Sequence, residues 1–120
     1  MGDTLLIIED NAQNLYLMRF LLEKNGFSVT GVESGRAGID EALRNKPRAI
    51  LLDIQLPEMD GYTVAAELKK HAELADVPII AVTSYAMVGD RERVLAAGAD
   101  GYIEKPINPD TFVAEIRRYL

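Results

Sequence analysis

Several features that mark particular classes of protein are missing from this sequence of 120 residues. It contains no cysteine and no tryptophan, so disulfides and thiolate metal sites are excluded. The longest early apolar run is "LLII" at residues 5–8, which is too short for a signal peptide or for the roughly 20 residues that cross a bilayer. We therefore predict a cytoplasmic protein that makes no contact with a membrane.

Basic residues are scarce relative to acidic ones. The chain carries 13 Lys and Arg against 19 Asp and Glu, which gives a net charge of −6. A surface that binds duplex nucleic acid needs clustered Lys and Arg, so we expect no direct nucleic-acid partner. The hydrophobic fraction of 48% and the length of one ordinary domain predict a single globular domain over residues 1–120.

Segments with strand and helix patterns alternate along the chain. Strands are predicted at residues 4–9, 27–32, 48–53, 77–82 and 101–104. Helices are predicted at residues 11–25, 35–45, 61–71, 88–97 and 108–119, the last capped by Asn108 with Pro109 at its first position. This alternation predicts an α/β fold in which five helices cover both faces of a five-stranded parallel sheet.

Polar side chains stand where four of the five predicted strands end. They are Glu9 and Asp10 at the first strand, Asp53 at the third, Thr83 and Ser84 at the fourth, and Lys105 with Pro106 at the fifth. In a parallel sheet these ends meet at one crevice, which is where ligands bind. Carboxylates this close together repel one another and raise each other's pKa. Mg²⁺ prefers oxygen ligands and would relieve that repulsion, so we predict it as the cofactor.

A carboxylate can also act as a nucleophile and accept a phosphoryl group. Asp53 ends the apolar strand "ILLD", where a rigid sheet would hold it in place. Lys105 would then supply a second counter-charge, and the hydroxyl of Thr83 would bind a phosphoryl oxygen. We predict no chemical role for Ser84.

Four motifs together resemble the receiver domains of two-component response regulators, and the resemblance covers essentially the whole chain. "IIEDN" resembles the acidic-pair motif, "LLDIQLPEMDG" the phosphoacceptor loop, "AVTSYA" the switch-residue strand and "YIEKPI" the lysine–proline motif. The segments "DIQLPEMDG" and "SYAMVGD" further resemble the stand-alone receivers of the DivK kind. The resemblance implies a flavodoxin-like doubly wound sheet with strand order 2-1-3-4-5.

The resemblance also implies the roles of the site residues. Asp53 would accept phosphate from the phosphohistidine of a histidine kinase or a histidine phosphotransfer protein. Asp10 and Asp53 would bind Mg²⁺ directly, together with the backbone carbonyl of Gln55, and Glu9 would act through a bound water. Thr83 and Lys105 would hold the phosphoryl group, and Tyr102 would be the switch aromatic. The Lys105–Pro106 peptide bond would be cis.

The same resemblance implies how the signal is passed on. Gln55 and Tyr85 occupy positions that tune the lifetime of the phosphoryl group. A downstream protein partner would bind the surface formed by residues 90–97, 101–104 and 108–119. No effector domain is visible in the sequence, so the receiver either acts alone or belongs to a larger protein such as a hybrid kinase.

Two other functions are compatible with this fold. A phosphatase of the haloacid-dehalogenase type has a second aspartate two residues after the nucleophile, but Gln55 stands there. A flavin-binding electron carrier has a Ser, Thr or Gly phosphate loop after the first strand. Here that segment is "EDNAQN", whose carboxylates would repel a flavin phosphate. We therefore predict a signalling switch and not an enzyme, with no catalysis beyond its own phosphorylation and slow dephosphorylation.

Overall fold

The computed structural model describes residues 4–84 and 89–120, with Asp90 described by its backbone only. The strands are β1 (Thr4–Ile8), β2 (Ser28–Val32), β3 (Ala49–Asp53), β4 (Ile79–Thr83) and β5 (Gly101–Glu104). The helices are α1 (Ala12–Lys24), α2 (Gly35–Arg44), α3 (Gly61–Lys69), α4 (Asp90–Ala96) and α5 (Phe112–Arg117), and a short 3₁₀ turn spans Ala72–Leu74. Within the described residues, no helix is long and apolar enough to cross a membrane.

The five strands form one parallel sheet in the order β2-β1-β3-β4-β5, which confirms the predicted fold class and strand order. The register places Ile8 beside Leu52 and Asp53 beside Val82. Thr83 is paired with Glu104, directly before Lys105. The polar residues that follow these strands are therefore brought to one edge of the sheet.

Successive strand residues point to opposite faces, and each face has its own core. Leu6 and Ile8 of β1 pack on the face covered by α2, α3 and α4. Leu5 and Ile7 pack on the face covered by α1 and α5. Every residue of β3 and β4 is buried, which explains why these strands are nearly continuous apolar runs. Each fully buried Leu or Ile contributes about 1.5–3 kcal/mol, so the edge that carries the polar residues rests on a rigid base.

The predicted start of the fourth strand is wrong by two residues. β4 begins at Ile79 and extends to Thr83, whereas the apolar pattern favoured residues 77–82. Pro78 has no N–H to donate to a ladder, although its carbonyl accepts a hydrogen bond from the N–H of Ile50 at 2.9 Å.

The predicted start of the last helix is also wrong. Asn108 Oδ1 accepts a hydrogen bond from the N–H of Asp110 at 2.9 Å, and this local bond favours a turn over a helix. Residues 109–111 form that turn, and α5 begins at Phe112. The predicted fourth helix begins at Val88, which lies outside the described residues, and its described part is α4. Gly26 and Gly98 directly follow the C-terminal ends of α1 and α4, with positive φ angles of 93° and 121°, a backbone conformation that favours glycine.

Candidate functional site

An open cleft lies at the carboxyl ends of the strands. Its volume is about 520 Å³, enough for a phosphoryl group and a hydrated ion. Its lining residues are Glu9, Asp10, Asn11, Asn14, Asp53, Gln55, Ser84, Lys105 and Pro106. The fold therefore brings the predicted acidic residues, Gln55 and Lys105 to one place.

Buried polar side chains concentrate at this edge. Among residues 4–84 and 89–120, those classed as both polar and buried are Glu9, Asp53 and Thr83, with exposures of 0%, 3% and 1%. A buried charge is costly unless it is paired. Two carboxylates buried this deeply in one cleft therefore require positive charge nearby.

Lys105 supplies part of that positive charge. Its Nζ lies 2.7 Å from Glu9 Oε1 and 3.6 Å from Asp53 Oδ1. The main-chain N–H of Lys105 donates to the carbonyl of Thr83 at 2.9 Å, which fixes the backbone that carries the ammonium. The Lys105–Pro106 peptide bond is cis, as the family resemblance implied. One ammonium thus faces two buried carboxylates.

The excess of negative charge in the cleft affects the carboxyl group of Asp53. Its pKa is raised from 3.8 to about 6. Burial is the largest cause, followed by hydrogen bonding to Glu9, whose charge also raises the pKa. The N–H of Gln55, which donates to Asp53 Oδ1 at 3.0 Å, and the charge of Lys105 act in the opposite direction. The cleft therefore holds Asp53 as a carboxylate that binds a proton more tightly than usual.

The loop after Asp53 is closed by a glycine. The N–H of Gly61 donates to the carbonyl of Ile54 at 2.9 Å. A Cβ on Gly61 would lie 2.6 Å from the Cα of Ile54 and 2.8 Å from the carbonyl oxygen of Asp53, so only glycine fits without a backbone shift. Asp60 then caps α3 by accepting from the N–H of Thr63 at 2.9 Å. This local chemistry holds the start of α3 against the end of β3 and fixes Asp53.

The N-terminus of α1 is capped by a residue outside the acidic pair, so Glu9 and Asp10 are available to the cleft. Asn11 is the N-cap of α1, and its side chain accepts from the N–H of Asn14 at 2.9 Å. The N–H of Asn11 donates to Glu9 Oε2 at 3.2 Å. Asn11 therefore satisfies the helix end, while Glu9 stays buried and Asp10 is exposed to the cleft.

The donor set fits a hard divalent cation. One carboxylate oxygen from each of Glu9, Asp10 and Asp53 lies within 4.8 Å of the others. Glu9 Oε1 is buried and has no hydrogen bond of good geometry within the described residues, although the Lys105 ammonium is near. A cluster of carboxylate oxygens beside open space is the donor set that Mg²⁺ prefers.

The two predicted switch residues lie on one face of the sheet. Tyr102 of β5 is paired with Ala81, two positions before Thr83 in β4, so the side chains of Thr83 and Tyr102 point to the same side. Thr83 is buried and does not line the cleft, and Tyr102 is half-buried against the core beneath α2, α3 and α4. Of the two residues predicted to tune the phosphoryl lifetime, Gln55 lines the cleft, and Tyr85 lies outside the described residues.

Ser84 lies in the cleft, where its position at a strand end predicted it, although no chemical role was predicted for it. Its Oγ donates to Gln55 Oε1 at 2.9 Å, and both residues line the cleft. Asn14, one turn into α1, also lines it. Because Ser84 directly follows Thr83, its place near the cleft could be predicted from the sequence. Its contact with Gln55 could not, because that contact depends on the register between β3 and β4.

Comparisons with known proteins agree with this geometry. The family model of the response regulator receiver domain matches residues 5–117. The polar-differentiation response regulator DivK of Brucella ovis is 42% identical over 120 residues, which are 100% of this chain and 98% of that protein. This chain therefore belongs to the response regulator receiver family, and it is similar to DivK.

Solved structures support the same assignment. The receiver domain of a sensor histidine kinase from Pseudomonas aeruginosa has a TM-score of 0.91 at 35% identity, covers 99% of this chain and is itself covered to 98%. That protein has a magnesium ion coordinated in its active-site cleft. Chemotaxis protein CheY4 of Vibrio cholerae, at 22% identity, shares the fold with a TM-score of 0.95 and complete coverage of both chains. A receiver domain is a signalling domain of two-component systems, whose partners are histidine kinases or phosphotransfer proteins.

Proposed function

We propose that this chain is a phosphoacceptor switch that takes a phosphoryl group from a phosphohistidine onto Asp53 in the presence of Mg²⁺. The observation that carries the proposal is a carboxylate at the end of a buried strand, 3% exposed, beside a buried glutamate and an ammonium. Nothing about folding requires such an arrangement, because buried charges are costly. The donor would be a histidine kinase or a histidine phosphotransfer protein.

The chemistry is a single displacement at phosphorus. A carboxylate oxygen of Asp53 forms a bond to the phosphorus atom as the bond to the donor's imidazole nitrogen breaks, and the nitrogen keeps the electron pair. Lys105 places its ammonium beside the acceptor carboxylate and would stabilise the negative charge of the transferred group. Thr83 would contribute its hydroxyl to a phosphoryl oxygen.

The metal would be held at the acidic end of the cleft. We assign Asp10, Asp53 and the backbone carbonyl of Gln55 as direct ligands, and Glu9 as a ligand through water. When bound, Mg²⁺ would supply positive charge that offsets the negative charge of the phosphoryl group. The assignment is supported by the clustering of the three carboxylates within 4.8 Å and by the magnesium ion in the Pseudomonas relative.

Phosphorylation with a small donor tests the proposal. The protein is incubated with acetyl phosphate, with and without Mg²⁺, and its intact mass is measured. Wild type should gain the mass of one phosphoryl group only with Mg²⁺, and Asp53→Asn should gain none. Asp76→Asn is the matched control, because Asp76 is exposed and lies at the other end of the sheet, and it should behave like wild type. Equal mass gain in Asp53→Asn and wild type would exclude Asp53 as the acceptor.

The output would be a change of shape on the face formed by α4, β5 and α5. In this proposal the hydroxyl of Thr83 moves toward the phosphoryl group, and Tyr102 turns into the space beside it. A downstream protein partner would then recognise residues 90–97, 101–104 and 108–119. Shifting such an equilibrium from mostly inactive to mostly active takes about 5 kcal/mol, which charge-assisted hydrogen bonds to a phosphoryl group can supply.

Amide NMR spectra with beryllofluoride and Mg²⁺ test this relay. In wild type the shifts should extend from the cleft to Tyr102, α4 and α5. In Thr83→Ala they should be confined to the cleft, because the hydroxyl that carries the change is missing. Far-reaching shifts of the same pattern in both proteins would exclude Thr83 as the connection.

The remaining assignments complete the proposal. We propose that residues 1–120 form one receiver domain that acts in the cytoplasm through protein partners, without direct contact with nucleic acid or membrane. The net charge of −6 supports the absence of a nucleic-acid surface. No enzymatic activity is proposed beyond phosphorylation and slow dephosphorylation of Asp53 itself.

A further inference from the structure

A side-chain hydrogen bond crosses the mouth of the cleft. Ser84 Oγ donates to Gln55 Oε1 at 2.9 Å, and it links the segment after β4 to the loop after β3. The strand register explains the meeting, because Asp53 is paired with Val82. Gln55 comes two residues after Asp53, and Ser84 comes two residues after Val82, so the two side chains lie opposite one another. The bond is thus a consequence of the sheet and not of local sequence.

Gln55 is held at two points beside the acceptor. Its main-chain N–H donates to Asp53 Oδ1 at 3.0 Å, and its side-chain oxygen accepts from Ser84. A glutamine that is exposed normally samples several rotamers, since its side chain carries considerable conformational entropy. Here the carboxamide has a defined position at the edge of the cleft, next to the carboxylate that would carry the phosphoryl group.

The orientation of this carboxamide matters for hydrolysis of an aspartyl phosphate. In that reaction the oxygen of water forms a bond to phosphorus, and the bond from phosphorus to the Asp53 oxygen breaks. The carboxylate keeps the electron pair, and inorganic phosphate leaves with the oxygen and protons of the water. A water in that position is helped by a hydrogen-bond acceptor. The carboxamide oxygen is an acceptor, whereas its NH₂ group only donates.

We propose that Ser84 is a positioning residue that prolongs the life of the phosphoryl group by holding Gln55 Oε1 away from the attacking water. This inference rests on the proposed function, since it requires a phosphoryl group on Asp53. While Ser84 engages the oxygen, that oxygen is held on the Ser84 side of the cleft. Loss of the hydroxyl releases the carboxamide, so that its oxygen can turn toward the water and accept from it, and dephosphorylation becomes faster.

Dephosphorylation rates in a double-mutant cycle test the inference. Wild type, Ser84→Ala, Gln55→Ala and the double variant are loaded with acetyl phosphate and Mg²⁺, the donor is removed, and the phosphorylated mass is followed over time. Ser84→Ala should lose phosphate about threefold to tenfold faster, the range expected from one neutral hydrogen bond. In the Gln55→Ala background the same substitution should change the rate less than about twofold.

The conservative variant supplies the matched control. Ser84→Thr keeps the hydroxyl and should retain a lifetime near that of wild type. An unchanged or longer lifetime in Ser84→Ala would overturn the inference. So would an equal acceleration in the Gln55→Ala background, because Ser84 would then act without Gln55. A merely structural role would lower the melting temperature of Ser84→Ala and accelerate both backgrounds alike.

The outcomes also separate this inference from the function on which it rests. If wild type gains no phosphoryl mass, the proposed function fails, and the positioning role fails with it. If wild type is phosphorylated but the cycle shows no coupling, only the role of Ser84 fails. NMR signals of the Gln55 side-chain NH₂ group, recorded without phosphate, give a readout of the contact itself. They should shift in Ser84→Ala and stay near the wild-type position in Ser84→Thr.

Discussion

The two ends of the sheet handle charge in opposite ways. At the carboxyl ends of the strands, Glu9 and Asp53 are buried with one ammonium between them. At the amino ends, Lys46 pairs with Asp76 at 2.9 Å, with 50% and 77% of their side chains exposed. There Asp100 Oδ2 accepts from the N–H of Ile79 at 2.9 Å and lies 3.5 Å from Lys69 Nζ. The charges named at the amino end are paired and largely exposed, whereas at the carboxyl end two buried carboxylates share one ammonium.

The difference shows where this domain retains unfavourable electrostatics. Exposed ion pairs such as Lys46–Asp76 contribute little to stability and impose little constraint. Buried, unbalanced carboxylates lower stability, and such arrangements concentrate at functional sites. The cleft is therefore the end of the sheet that binding of a cation or a phosphoryl group changes most.

Removal of the Lys105 ammonium should have the largest effect. Lys105→Ala should slow phosphorylation of Asp53 by about 100-fold or more, because a positioned positive charge at the reacting group is lost. Affinity for Mg²⁺ should persist or rise, since a competing cation is gone. Phosphorylation kinetics with acetyl phosphate and a Mg²⁺ titration measure the two effects. Lys46→Ala, at the amino end, should leave both at wild-type values. Loss of Mg²⁺ affinity in Lys105→Ala would contradict the assigned role.

The stability of the metal-free protein should depend on pH through Asp53. The folded protein holds this proton more tightly than the unfolded chain, since the pKa is raised from 3.8 to about 6. The free energy of unfolding should therefore fall by about 1–3 kcal/mol as pH rises through this interval. Urea unfolding at a series of pH values without metal measures it. Asp53→Asn should show a weaker fall and greater stability at neutral pH. An identical pH profile in both proteins would show that Asp53 does not cause the pH dependence of the free energy of unfolding.

Mg²⁺ should reverse part of that instability. At a concentration ten times its dissociation constant, a ligand that binds only the folded state adds about 1.4 kcal/mol. The melting temperature of wild type at neutral pH should rise accordingly, and Asp53→Asn, which lacks one of the proposed ligands, should respond less. Differential scanning fluorimetry over a Mg²⁺ series measures the response. An equal rise in both proteins would place the stabilising ion elsewhere.

The exposed pair at the amino end should matter least. Lys46→Ala is expected to leave the melting temperature unchanged within error, because the pair is solvated and screened by salt. Its response to Mg²⁺ should equal that of wild type. A thermal melt at low and at high salt measures both points. A marked loss of stability would show that the two ends of the sheet differ less than their burial indicates.

Much of this architecture could be predicted from the residue pattern. Two-sided burial makes parallel strands almost continuously apolar, so β3 and β4 are visible as "AILLD" and "IIAVT". The strand-end residues follow from the same rule, since the polar residue that interrupts each run stands at the edge of the sheet. Element boundaries were less predictable where a single residue decides them, as Pro78 and Asn108 do.

Contacts between segments could not be predicted in the same way. The hydrogen bond from Ser84 to Gln55 joins residues 29 positions apart, and it depends on the register of β3 against β4. The raised pKa of Asp53 likewise depends on burial and on the distance to Glu9. Sequence indicates which groups meet at the cleft, whereas packing decides how close and how dry they are.

The strand order has a consequence for how the chain folds. Glu9 lies near the start of the chain, Asp53 near its middle and Lys105 near its end, and β5 occupies an edge of the sheet. Every fragment that contains all three spans at least residues 9–105, so the cleft is complete only after the last strand has docked. A ligand bound there connects residues from the start, the middle and the end of the chain. We expect it to slow unfolding while leaving the folding rate almost unchanged, because the ligand binds only once the cleft is complete.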